Sequence, residues 1–367
     1  MTKIITFFKK ETVLGVAFLL AVFSCFLIKP DAAYLNYLDW HTLIVLFCLM
    51  AVMAGLKQQA FFEYIGEALL QKIQTKRSLV LTLVFLCFFS SMLITNDVAL
   101  LTFVPLALLV LRLAKMQASV CLVITLMTIA SNLGSMLTPI GNPQNLYLYS
   151  ISGFSLPQFV AVLLPYTLLA AFGLVISVWL FFPKQVLTVK VNPNQLQLNP
   201  RKLAYYWGLF LVCLLSVAKI LPPLELLLVI LLAILFENRQ LLGQVDYSLL
   251  LTFVCFFIFI GNLARVDAFS HLIQHVLDQN VRGVAILVSQ IISNVPAALL
   301  LAGFSHDYQS LLIGTNLGGL GTLIASMASL ISYKQLVANY PEQKGRFLLI
   351  FSLWNIIFLA LLCSLGL

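Results

Sequence analysis

The run from Ser78 to Leu113 admits few folds. It is about 36 residues long and apolar except for three consecutive polar side chains near its centre, Thr95-Asn96-Asp97. As one helix it would reach about 54 Å at 1.5 Å per residue, against ~30 Å for the hydrocarbon core of a bilayer. Basic residues mark both ends, Lys76 and Arg77 at the start and Arg112 and Lys115 at the finish. Both ends therefore belong on one side, the cytoplasmic one. The run must turn back on itself, and we expect a helical hairpin over 78–113 with Thr95-Asn96-Asp97 at its tip. An acid at bilayer depth costs at least a few kcal/mol, so it is tolerated where it meets a partner, a cavity or an ion.

The rest of the chain obeys the same solvent. Of its 367 residues, 62% are hydrophobic and 9% charged, against ~25% charged in a soluble domain. The apolar runs are continuous, ~17–25 residues long and without the alternation of a barrel, which selects an all-α membrane protein. The net charge of +8 comes from Lys and Arg between the apolar runs. That is the footprint of cytoplasmic loops and not of a nucleic-acid face. The expected partners are the lipid bilayer and a small anion substrate, with no nucleic acid. The cysteines Cys25, Cys48, Cys87, Cys121, Cys213, Cys255 and Cys363 all lie in apolar runs without a CxxC and read as small buried hydrophobes. The first apolar run lacks a small-residue cleavage site and is followed by many more, so it reads as a retained helix. There is no Walker motif, no Gly-rich phosphate loop and no Ser/His/Asp grouping, which argues against an ATP-driven pump or an enzyme. No cofactor is expected beyond a coupling ion. His271 and His275, four apart, lack the Glu of HExxH and a third ligand and read as interfacial.

Lys3, Lys9 and Lys10 place the N-terminus in the cytoplasm. Spans then follow at 11–28, 41–57, 118–150, 158–182, 204–219, 222–237, 247–263, 308–332 and 347–366, which leaves the C-terminus outside a plasma (inner) membrane. The span 118–150 holds Ser131-Asn132-Leu133-Gly134-Ser135 and then Thr138-Pro139-Ile140-Gly141-Asn142-Pro143-Gln144-Asn145. Prolines, glycines and amides at that density cannot stay in a regular lipid-facing helix, so the helix is broken. The run 283–304 carries Ser293-Asn294-Val295-Pro296 at its centre, and each half is too short to span. It reads as a second hairpin, entering from outside. The span 308–332 is broken at Gly314–Thr322. Stretches 58–75 and 264–282 read as interfacial helices, and 184–203, with Lys184, Lys190, Arg201 and Lys202, as a cytoplasmic linker.

The two halves resemble each other in order. Asp39-Trp40-His41 matches Asp246-Tyr247-Ser248, Ala60-Phe61 matches Ala268-Phe269, Asn96 matches Asn294, and Ser131-Asn132-Leu133-Gly134 matches Thr315-Asn316-Leu317-Gly318. We expect residues 1–183 and 222–367 to be repeats, with 184–221 as linker and linking helix. The first half starts from inside and the second from outside, so the repeats are inverted. The expected fold is an inverted-repeat secondary transporter with about nine transmembrane helices, two re-entrant hairpins and two broken helices.

A hairpin followed by a broken helix with a Gly-Asn-Pro loop, repeated in inverse, resembles the ion transporter superfamily. The stretch 131–145 is its most specific element and is similar to the citrate/arsenite permease-like branch, related to sodium-coupled dicarboxylate transporters. The resemblance implies hairpins that move against a scaffold like an elevator. Homodimers are common in that superfamily, which leaves a homodimer open here. In the dicarboxylate branch, Ser-Asn-Thr at both tips binds sodium and substrate carboxylate. Thr95-Asn96-Asp97 and Ser293-Asn294-Val295 keep the asparagine and change the third residue, which implies different cation chemistry at the first tip.

Unwound backbone offers carbonyls to a cation and N–H groups to an anion. We expect a cation site, with Na⁺ or a transferable proton at Asp97, built from Thr95, Asn96, Asp97, Ser131, Asn132 and Gly134. Substrate falls to Asn142, Asn145, Ser293, Asn294, Thr315, Asn316 and Gly318. The competing role for the polar residues is capping of half-helices, and for the glycines close packing. The expected function is cation-coupled transport of a small anion, a di- or tricarboxylate or an oxyanion. The alternatives on the same scaffold are a Na⁺/H⁺ antiporter and an arsenite or antimonite efflux permease.

Overall fold

The computed structural model describes residues 11–70, 73–187 and 198–366; Lys3, Lys9, Lys10 and Lys190, used above to place the cytoplasmic side, lie outside them. Among the described residues the regular elements are eighteen α-helices, a few short 3₁₀ turns and one isolated bridge, Thr75 to Val186. The chain opens with α1 (Thr12–Leu27), a short α2 (Tyr34–Tyr37), α3 (Trp40–Gln58) and the arm α4 (Phe61–Leu70). The first hairpin is α5 (Lys76–Ile94) and α6 (Asn96–Leu113), and the broken helix beside it is α7 (Val120–Ser135) and α8 (Pro143–Ser152). Then come α9 (Leu156–Phe181), α10 (Pro200–Val217) and α11 (Pro223–Asn238). The second half repeats the series: α12 (Tyr247–Ala264), arm α13 (Asp267–Gln279), hairpin α14 (Val281–Ile292) and α15 (Asn294–Ala302), broken helix α16 (Tyr308–Leu317) and α17 (Met327–Asn339), and α18 (Lys344–Cys363).

Burial is that of a protein whose solvent is lipid. Phe26, Phe172, Trp179, Phe236 and Leu349 are exposed, while Thr128, Ser131, Asn132, Asn145, Thr315 and Asn316 are buried. Water would reverse that order; hydrocarbon rewards it. Among the described residues eight helices are long and apolar enough to cross a bilayer. Six fall on expected spans, and two are the arms of the first hairpin.

The hairpins differ in depth. The second has arms of 12 and 9 residues, but α5 and α6 have 19 and 18. Each arm of the first thus reaches about 27–29 Å at 1.5 Å per residue, long enough to cross by itself. The extra turns lie away from the tip. The start of α5 is held by Arg77, which donates from Nε to Phe182 O (2.9 Å) and from Nη2 to Trp179 O (3.2 Å). The far end of α6 is held by Arg112 over the Tyr340 ring.

The broken helices cross between halves. α8 packs on α15, the returning arm of the other hairpin, and α17 packs on α6. α3 packs on α10 and α11, and α12 packs on α1. One sequence match does not survive: Ala60 stands before its helix with φ 53°, whereas Ala268 is inside α13. α17 also runs on to Asn339, past the expected end at 332.

Candidate functional site

The two hairpin tips have one backbone geometry. Thr95 has φ 70°, ψ 153°, and Ser293 has φ 77°, ψ 154°. That region belongs essentially to glycine and costs about 1–3 kcal/mol for another residue. Strain kept at equivalent places in both halves marks a position that the surroundings over-determine. After each strained residue comes an asparagine whose Oδ1 accepts from the next backbone N–H, Asp97 N at 2.9 Å and Val295 N at 3.0 Å. The backbone N–H groups of Asn96 and Asn294 donate across to the loops of the broken helices, to Gly141 O (3.2 Å) and Ala325 O (2.9 Å). The next residue in each loop is an N-cap of matching shape, Asn142 at φ −145°, ψ 143° and Ser326 at φ −144°, ψ 139°. Ser326 was not legible as the counterpart of Asn142, because the sequence match ends at Gly318.

Four helices, α6, α8, α15 and α17, therefore begin around one place. None of their N-cap residues, Thr95, Asn142, Ser293 and Ser326, caps its helix with a side chain. Elsewhere Asp39, Ser155, Asn199, Asp246 and Asp307 do so. Each helix start carries roughly half a positive charge from the aligned peptide dipoles.

Behind the tips the halves interlock. Asn132 Oδ1 accepts from Asn96 Nδ2 (3.0 Å) and from Ser326 Oγ of the other half (3.0 Å). Asn316 Nδ2 donates to Asn145 Oδ1 of the other half (2.7 Å). Asn145 Nδ2 in turn holds the loop carbonyls Met136 O and Thr138 O, each at 3.2 Å. Ser131 Oγ donates to Asn96 O (2.9 Å), and Thr315 Oγ1 donates within its own helix to Leu311 O (2.8 Å). Gln290 ties the second loop, donating to Gly318 O (2.9 Å) and Leu320 O (2.8 Å). Gly134 and Gly318 let the broken helices approach the hairpins. A Cβ on Gly134 would lie 2.1 Å from Phe88 O, and one on Gly318 would lie 2.6 Å from Ser289 Cβ.

In front of this network is a cavity of about 140 Å³. Its wall includes Asn96, Asp97, Asn142, Ser293 and Asn294, five of the thirteen residues expected from the sequence, together with Gln144, Ser326, Asp246 and Lys334. Thr95 and Asp97 face an adjoining groove that Lys57 and Asp246 also line. Ser131, Asn132, Gly134, Asn145, Thr315, Asn316 and Gly318 line neither of these two cavities.

Several buried polar atoms here have no hydrogen-bond partner in the protein: Asp97 Oδ1, Asn142 Oδ1, and both Oε1 and Nε2 of Gln144. Asn132 Oδ1 is the opposite case, with both lone pairs taken. Among the residues that line the cavity, the free buried acceptors are thus those of Asp97, Asn142 and Gln144; Asn316 Oδ1 is also unpartnered but lies behind the wall. Gln144 Nε2 is a free donor, and the starts of α6, α8 and α17 keep N–H groups that an anion could meet, whereas at α15 those of Asn294 and Val295 are taken and Pro296 has none. Sequence reasoning passed over Gln144 because it is one amide among several in 142–145.

Helix breaks paired across two halves of an all-helical membrane protein, meeting at one cavity, define a multi-pass transporter. The chain belongs to the citrate transporter family CitMHS, whose model matches residues 4–310. It is 34% identical over 326 residues to an uncharacterized transporter of Methanocaldococcus jannaschii, covering 88% of each chain. It is 30% identical over 300 residues to the inner membrane protein YbiR of Escherichia coli, covering 81% of this chain and 80% of that one. A silicon efflux transporter of Oryza sativa subsp. japonica is 32% identical over 158 residues, 43% of this chain and 31% of that one.

Proposed function

We propose that this chain is a cation-coupled secondary transporter, driven by Na⁺ or H⁺, of a small anion such as a di- or tricarboxylate or an oxyanion. The proposed mechanism is elevator-type alternating access. The proposed placement is the plasma (inner) membrane, N-terminus inside and C-terminus outside, with 1–183 and 222–367 as the inverted repeats about the linker 184–221.

The observation that carries this reading is the convergence of four helix starts, α6, α8, α15 and α17, on one cavity, with no N-cap side chain of the four spent on its helix. The N–H groups left at α6, α8 and α17 suit the oxygens of an anion, and the dipole of α15 adds to the positive field there. Asp97 lines the same cavity, and two like charges 4 Å apart repel by ~4 kcal/mol at an effective dielectric of 20. A cation or a proton on Asp97 removes that repulsion, so the anion and the cation bind better together than apart. This is coupling by chemistry, and the free oxygens of Asp97, Asn142 and Gln144 supply cation ligands.

A second reading is efflux of a neutral hydroxylated acid such as arsenite or antimonite. It rests on Gln144, whose free donor and acceptor suit a hydroxyl group, and on the rice relative named for silicon efflux. Purified protein in liposomes, with Na⁺ or pH gradients imposed separately, distinguishes them. Uptake of citrate, succinate or sulfate driven by one gradient supports coupled anion transport. Uptake indifferent to both gradients refutes the coupling, and movement of arsenite alone moves the assignment to the second reading.

A further inference from the structure

The two ends of the transport path are fastened differently. At one end Asp39 caps α3, accepting from Thr42 N at 3.1 Å. Its other oxygen, Oδ2, accepts from Ser150 Oγ at 2.6 Å and from Thr42 Oγ1 at 2.6 Å. Ser150 sits near the end of α8, so this contact ties a broken-helix arm to α3, which itself packs on α10 and α11.

The second half has the same parts. Asp246 caps α12 with φ −77°, ψ 83°, against −78°, 87° for Asp39, and its Oδ1 accepts from Leu249 N at 2.9 Å. α17 starts after Ser326 as α8 starts after Asn142, with the same N-cap backbone. Seven residues past each N-cap stands a tyrosine, Tyr149 and Tyr333; eight past stand Ser150 and Lys334. Lys334 is thus to Asp246 what Ser150 is to Asp39. The contact is missing, however. Among the described residues the ion pairs are Lys202–Glu237 and Arg265–Asp31, and Asp246 Oδ2 has no hydrogen-bond partner. Asp246 and Lys334 are both exposed and line the same cavity.

We propose that Asp246 and Lys334 are the gate of this cavity: they pair when it closes, as Asp39 and Ser150 release at the other end. The inference rests on the transport reading in one respect, that transport requires the cavity to close. Lysine suits the position because its long stem reaches across a mouth that serine could not. An exposed ion pair is weak, and a gate that must reopen has to be weak. Glu11 lines the cavity and Lys57 the adjoining groove, so each half of the pair has a rival, which the test includes.

The experiment needs no solute and so is independent of the substrate assignment. Asp246→Cys with Lys334→Cys is built into the full chain in membranes, with Asp39→Cys with Ser150→Cys as the reference pair. A disulfide requires Cα atoms within about 7 Å. Mild oxidation followed by a maleimide mass shift counts the free thiols above those of the native chain. We expect both pairs to close. A reference pair that closes while the Asp246–Lys334 pair stays open overturns the proposal. So does a Glu11→Cys with Lys334→Cys pair that closes tenfold faster, and so does failure of both pairs, since the starting contact is then absent. A second test avoids cysteine at the gate. Asp246→Lys or Lys334→Asp alone should raise the rate of thiol labelling at Ser248→Cys on the cavity wall severalfold, and the two together should restore it. Single variants without effect, or a double variant no better than the singles, overturn the gate.

Discussion

Replacing Gln144 with leucine should stabilise the protein without solute and weaken its grip on solute. Gln144 is fully buried, and neither end of its carboxamide has a partner in the protein. A buried polar group left unpaired costs about 1–3 kcal/mol. Leucine is close in volume, and volume-conserving swaps cost under about 1.5 kcal/mol. The net expectation is a gain of ~1–2 kcal/mol in unfolding free energy when no solute is present, visible as a melting shift of a few degrees. With solute the sign reverses. If the amide makes two hydrogen bonds to the solute, each worth about 0.5–1.5 kcal/mol net, affinity should fall about 5- to 150-fold. The assay is a melting curve of Gln144→Leu beside the native chain, with and without citrate, succinate, sulfate and arsenite, in Na⁺ and in its absence. A lower melting temperature without solute would show that the amide is already satisfied. Equal solute stabilisation in both proteins would show that it does not touch the solute. Either result refutes the reasoning.

Other expectations follow from the same geometry. Thr95→Gly and Ser293→Gly should each relieve about 1–3 kcal/mol of backbone strain and raise the melting temperature while slowing transport; a fall in stability would mean that the hydroxyls matter more than the backbone. Gly134→Val should abolish a monodisperse, folded preparation, because its Cβ would lie 2.1 Å from Phe88 O and a backbone oxygen cannot step aside; normal expression and melting would contradict that approach. Asp97→Asn should remove the dependence of solute stabilisation on Na⁺ or pH while the fold persists, and an unchanged dependence would take the coupling ion away from the first tip. Asp31→Asn, which breaks the exposed pair with Arg265, should change stability by less than about 1 kcal/mol, as measured by the same melting curve.

The hairpin tips were legible because polar residues in the middle of an apolar run have no bland explanation in lipid. Asn96 and Asn294 follow residues of the same backbone geometry and make the same side-chain bond in both halves, as the sequence pairing of the two implies. What stayed hidden was which amides face the cavity. Asn145 and Gln144 are neighbours in sequence, yet Asn145 spends its side chain on loop carbonyls and Gln144 spends its on nothing in the protein. That difference is set by a one-residue turn of α8, about 100°, and by where the loop places the start of that helix. Thr315 was expected at the substrate and instead donates within its own helix, a habit that a hydroxyl in a helix shows regardless of site. The strain at Thr95 and Ser293 was invisible for a further reason: neither residue type announces a glycine-like backbone.

The bonds from Asn132 to Ser326 and from Asn316 to Asn145 mean that neither half of the chain owns a finished centre. Each supplies amides that only the other can satisfy, so at its middle the polypeptide is built like a dimer that happens to be covalently joined. A substitution at Asn132 or Asn145 is therefore felt in both halves. Two fragments divided between Leu187 and Leu198 and made in the same membrane should find each other, because the instructions for assembly lie in the facing amides and not in the peptide bonds between them.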